Sequence, residues 1–175
     1  ITFAMIFGAD TAFYFGKAVI GIVLFGICQV LLIHRNSKGL KEYIKSGRFK
    51  EHKGALILYA IVIIAIDIIL ITFIFMPIFK GDKLFYLILV YAAFLSVSLW
   101  VAWANSKIGY FPHMNSRLIT IGMTFFFLCD NSVGLELALP HSGIYWVIAG
   151  SFTWMWYTPA LVLIALSGYG FKKAS

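Results

Sequence analysis

From residue 54 to residue 79 the chain reads GALILYAIVIIAIDIILITFIFMPIF, 26 residues in which Asp67 is the single charged side chain. At 1.5 Å of rise per residue, a helix of that length crosses the hydrocarbon core of a bilayer, which is about 30 Å thick. A water-soluble domain would have to enclose such a run completely, and a chain of 175 residues has too small an interior to enclose several of them. Comparable runs cover Ile1 to about Phe15, Gly16 to Ile33, Leu84 to Ala104, Leu118 to Leu139 and Gly143 to Gly168. None alternates apolar with polar residues as a membrane β-strand does. The expected fold is therefore all-α, a polytopic helical membrane bundle of about six transmembrane helices. It forms a single domain over residues 1–175, and its first helix is short enough to be tilted or truncated. Composition agrees, since 62% of residues are hydrophobic and 12% charged, against about half and about a quarter in soluble domains.

Lys and Arg number 14 against 7 Asp and Glu, a formal net charge of +7. In a soluble protein that excess would raise the question of nucleic acid. Here the basic residues lie between the apolar runs and report orientation instead, so the expected partner is the bilayer and not a nucleic acid. The loop at 35–53 carries Arg35, Lys38, Lys41, Lys45, Arg48, Lys50 and Lys53, which makes it cytoplasmic by the positive-inside rule. Lys107 and Arg117, and the C-terminal Lys172 and Lys173, then fall on the same side, while the KGDK turn at 80–83 and the stretch 137–143 face the other way. Leu40, Tyr43, Ile44 and Phe49 interleave with the charges, a pattern suited to anionic headgroups as well as to a solvated connection. No basic stretch precedes the first apolar run, so no intact signal peptide is read.

Ionisable groups within spans are costly and mark function by default. Asp10 lies near the end of the first helix, Asp67 in the middle of the third, and Asp130 two-thirds of the way along the fifth. With the basic loop inside, the first helix ends outside and the fifth runs outward. Asp10 and Asp130 therefore share one depth in the outer half of the membrane, where Lys17 can snorkel or pair with Asp10. His34, His52, His113 and His141 show no metal-ligand spacing. Cys28 and Cys129 lie in apolar runs and suggest neither a disulfide framework nor a zinc site. No GxSxG elbow is present and Ser132 has no neighbouring histidine, so neither a metal, a cofactor nor a serine nucleophile is expected. What remains is carboxylate chemistry. One protonated carboxyl can donate to a substrate while an ionised partner stabilises the cation that forms. A vinyl ether suits this logic, because protonating its double bond gives an oxocarbenium ion that water captures.

Four stretches resemble the lysoplasmalogenase, or YhhN-like, family of membrane proteins. FGADTAF (Phe7 to Phe13) is similar to a small-residue-plus-Asp motif, with Ala9 where Gly usually precedes the Asp. GIVLFGICQVLL carries Gly21, Phe25 and Gln29 on a G-xxx-F-xxx-H pattern, with Gln in place of His. VYAAFLSVSLWVAWA resembles a Tyr-led helix through Tyr91 and Ala102. GMTFFFLCDNSV places Gly122, Phe126 and Asp130 on G-xxx-F-xx-SD, with Cys129 in place of Ser. The resemblance covers most of the chain, in the expected order. It implies an integral-membrane hydrolase that cleaves the vinyl-ether bond of lysoplasmalogens to a fatty aldehyde and a glycerophospho-alcohol, with Asp10 and Asp130 as the catalytic pair. Gln29, Tyr91, Tyr157 and Asn131 are the candidate substrate-binding groups, and Asp67 is a further intramembrane acid outside any family motif. Near the C-terminus YTPAL (Tyr157 to Leu161) has Leu161 where Gln or His is frequent. The family usually has about eight helices, so one or two N-terminal helices would lie outside this sequence.

Two other functions fit the same residues. A small proton-coupled transporter would use Asp10, Asp67 and Asp130 at a midplane site and show pseudo-repeats. A catalytically inactive relative would bind lipid without cleaving it. Pro159 is expected to kink the last span and free a carbonyl. Trp100 and Trp103 suit an interfacial belt, whereas Trp154 and Trp156 lie deeper.

Overall fold

The computed structural model describes residues 1–139 and 143–169; residues 140–142, with His141, and the tail that holds Lys172 and Lys173 lie outside the described residues. All regular structure in the described residues is helical. The elements are α1 (Thr2–Tyr14), α2 (Ala18–Asn36), α3 (Leu40–Lys45), α4 (Phe49–Leu70), a π-helical segment (Ile71–Phe75), α5 (Met76–Phe79), α6 (Lys83–Ile108), α7 (His113–Ala138) and α8 (Ile144–Leu166). Among the described residues, five helical stretches are long and apolar enough to span a membrane: α2, the continuous stretch Phe49–Phe79, α6, α7 and α8. The protein is a multi-pass helical membrane bundle.

α1, the first of the six expected helices, covers 13 residues from Thr2 onward. It ends where Gly16 takes φ 68°, a left-handed conformation that only glycine adopts cheaply. The chain then reverses directly into α2.

The core forms where α1, α2, α6, α7 and α8 meet, around Ala9, Cys28, Leu99, Ala102, Met123, Phe126 and Ala160. Small residues allow that closeness, as in membrane bundles generally. At Gly122 a Cβ would lie 3.0 Å from Ile164 Cγ1 and 3.2 Å from Ile164 N, so α7 and α8 approach backbone to side chain. The stretch Phe49–Phe79 packs mainly on α6 and turns nearly all its apolar surface outward, as a lipid-facing helix does.

The ends that carry the basic loop are tied by polar side chains. Asn105 Nδ2 donates to the Asn36 carbonyl at 2.9 Å, and Asn115 Nδ2 donates to the carbonyls of Ser167 and Tyr169, each at 2.8 Å. Arg35 donates to Ser167 Oγ, placing a cation at the C-terminus of α8, where the helix dipole favours it. Much of the basic loop is folded and not merely solvated. Tyr43 of α3 is buried against Leu56, Ala104 and Ile108, and its hydroxyl pairs with His52 Nδ1 at 2.8 Å. Leu40 and Phe49 join this small second core, which leaves Ile44 as the exposed apolar residue of the four that interleave with the loop charges. Trp100 and Trp103 also turn inward. Trp100 Nε1 donates to the Leu56 carbonyl and Trp103 Nε1 to Thr124 Oγ1, both at 2.9 Å.

The stretch 54–79, read from sequence as one uninterrupted helix, changes register at Ile71–Phe75. Pro77 supplies the reason. It has no N–H to give the carbonyl of Phe73, and its ring collides with that carbonyl, so the ladder cannot pass with ordinary spacing. The wider π-turn absorbs the mismatch and swings Phe75 to the inside, 5% exposed, while Phe73 points out, 74% exposed. Pro159, by contrast, sits inside α8 without interrupting it.

Candidate functional site

A cavity of about 620 Å³ opens between α1, α7 and α8, within the range of small-molecule pockets. Asp10 and Asp130 both line it, although 119 residues lie between them in sequence. α1 presents Asp10 beside the buried Ala9, and α7 presents Asp130 next to the buried Cys129.

Each carboxyl is held by a tyrosine. The Tyr157 hydroxyl on α8 donates to Asp10 Oδ2, and the Tyr91 hydroxyl on α6 donates to Asp130 Oδ2. Gln29 Nε2 on α2 also donates to Asp130 Oδ2, at 3.3 Å. Asp130 therefore joins three helices, and a carboxylate held by several donors keeps a fixed orientation. No donor among the described residues reaches Oδ1 of either aspartate, so one oxygen of each remains for a ligand. Lys17, the N-cap residue of α2, makes no ion pair with Asp10.

Among the sequence-predicted binding groups, Tyr157 lines the large cavity with the two aspartates. Gln29 does not. It is fully buried behind Asp130, with Oε1 lacking a partner, and acts on the site only through that carboxyl. Tyr91 and Asn131 line a second, smaller cavity on the far side of Asp130, where Asn131 Nδ2 is already bonded to the Phe127 carbonyl at 2.8 Å. Asp67 lines neither cavity; the Ser96 hydroxyl donates to it across the α4–α6 joint.

Glu136 is the cavity residue that sequence reading missed. It lies in LELAL at the end of α7 and lines the same space as Asp10 and Asp130. Thr153 Oγ1 stands 3.5 Å from it but 3.1 Å from the Ala149 carbonyl. A hydroxyl has one proton to give, so the shorter contact takes it and Glu136 is held loosely. The criterion that selects Asp10, an acid inside an apolar run, selects Glu136 as well. Aromatic rings complete the wall, among them Phe13, Tyr14, Trp146, Trp154 and Tyr157, and no Lys, Arg or His lines it among the described residues. No group of three or more His, Cys, Asp and Glu there could hold a metal ion, among the described residues.

Comparison of the chain with known protein families, with curated proteins and with solved structures gives no match.

Proposed function

We propose that the protein is an integral-membrane lipid hydrolase that cleaves the vinyl-ether bond of single-chain ether phospholipids, the lysoplasmalogens. The observation that carries this is the meeting of Asp10 and Asp130 on one half-open cavity, without a cation to neutralise either. The resemblance of the four sequence stretches to the lysoplasmalogenase family points the same way. In the reaction, one carboxyl gives its proton to the β-carbon of the vinyl ether and the π electrons form the new C–H bond. The α-carbon becomes an oxocarbenium ion, and the second carboxylate, on the same cavity, stabilises its charge. Water adds to that carbon and returns a proton to a carboxylate. The hemiacetal collapses to a fatty aldehyde and a glycerophospho-alcohol, so the pair ends as it began.

The first test sets a vinyl-ether lysophospholipid beside its saturated alkyl-ether twin, which has no double bond to protonate. Purified full-length protein in detergent is expected to release aldehyde from the first alone. Intact protein that releases none from the vinyl ether, across headgroups and pH, would overturn the proposal.

Headgroup preference follows from the wall. Asp10, Asp130 and Glu136 line the cavity with several aromatic faces and no basic residue, so an ammonium is welcome there through charge and cation–π attraction, and a second negative group is not. Zwitterionic choline or ethanolamine lipids are expected to exceed an anionic glycerol headgroup in kcat/KM by about tenfold, the value of one modest cation–π or charge contact. Equal kcat/KM values would remove the headgroup from the cavity. By the positive-inside rule we place the basic loop and the C-terminus on the cytoplasmic side.

A further inference from the structure

The smaller cavity has a volume of about 60 Å³ and shares Asp130 with the larger one, together with Phe13, Phe25, Val133 and Leu137. Asp130, Val133 and Leu137 fall at i, i+3 and i+7, one stripe of α7. That stripe is the partition between the two spaces. On its far side the small chamber is apolar except for the Tyr91 hydroxyl, given to Asp130, and the Asn131 amide, given to the Phe127 carbonyl. It offers an oily space that begins at Asp130, one of the two carboxyls proposed to act on the vinyl ether.

At about 30 Å³ for each water-sized group, the chamber admits roughly two methylenes. Phe75 forms part of its wall. The ring rests on Gly134, where a Cβ would come within 2.8 Å of Cζ and 2.9 Å of Cε1. Any larger residue at 134 would push the ring away, so the absence of a side chain there is what seats it. Phe75 belongs to the π-helical segment beside Pro77, where the regular i→i+4 ladder is already interrupted.

We propose that this chamber receives the hydrocarbon chain of the substrate and that Phe75, seated on Gly134, sets how the chain is accommodated, moving aside for chains longer than about two methylenes beyond the reacting carbons. The inference rests on the proposed cleavage, since it places the chain side of the vinyl ether at Asp130 and the headgroup side in the larger cavity.

Binding tests it without requiring hydrolysis. The probes are saturated 1-O-alkyl lysophosphocholines with butyl or hexadecyl chains, titrated against full-length protein in detergent. Phe75→Ala is expected to bind the hexadecyl ether at least fivefold more tightly than wild type, and Phe75→Trp at least fivefold less tightly, with the butyl ether unchanged in both. Phe73→Ala, on the outward face of the same segment, is expected to follow wild type for both chains. Shifts equal for the two chains, or an effect of Phe73→Ala matching that of Phe75→Ala, would overturn the chamber. Failure of the cleavage itself reads differently: chain-dependent binding would persist with no aldehyde formed from the vinyl ether.

Discussion

Asp130→Asn is expected to lower aldehyde formation by about 10²- to 10⁴-fold, the usual worth of a positioned proton donor or acceptor. Asparagine has the shape of aspartate, and its Oδ can still accept from Tyr91 and Gln29, so α2, α6 and α7 stay joined as they are around Asp130. What is lost is the ability to carry a proton or a negative charge. Asp10→Asn is expected to fall by a similar factor, and the double variant by little more than either single one, because groups that act as a unit are not additive. Binding of the hexadecyl ether is expected to change by only a few-fold, which separates a chemical defect from a folding one. The pH dependence carries the same signature. A pair that needs one proton between its two members gives a bell-shaped rate profile, and each asparagine variant is expected to lose one limb of it. Either single variant keeping a tenth of wild-type activity would remove the pair from the chemistry.

The second large effect is structural. A Cβ at Gly122 meets Leu163 Cβ at 3.1 Å and the Ile164 backbone nitrogen at 3.2 Å, and helix backbone cannot retreat as a flexible side chain can. Gly122→Val is expected to cost about 1–3 kcal/mol by overpacking, seen as a lower thermal midpoint in detergent. Gly54→Val is the control, since a Cβ there meets nothing within 4 Å. Spreading α7 from α8 also separates Asp130 from the helix whose Tyr157 holds Asp10, so activity is expected to fall further than stability. Equal midpoints for the two variants would contradict the close α7–α8 packing.

The apolar runs announced the helices because the bilayer leaves the backbone no other way to satisfy its polar groups. The common depth of Asp10 and Asp130 followed from counting residues between charged loops, and both do line one cavity. Other features were not legible for physical reasons. Gln29 looked like a ligand-binding group, but burial behind Asp130 depends on how α2 rotates against α7, which a uniformly apolar helix does not encode. The hydrophobic periodicity that would fix such rotation in a soluble protein is weak when lipid and core are equally apolar. Pro77 carried a readable signal for the change of register, and Glu136 a readable one for the third acid.

The polar ties gather at one end of the bundle, where Asn105, Asn115 and Arg35 bind the ends of α2 and α8, while the cavity lies toward the other, between α1, α7 and α8. The side chains that tie the helices together and those that line the cavity are thus separate sets at separate ends, so the cavity wall can be altered without removing a single one of the ties.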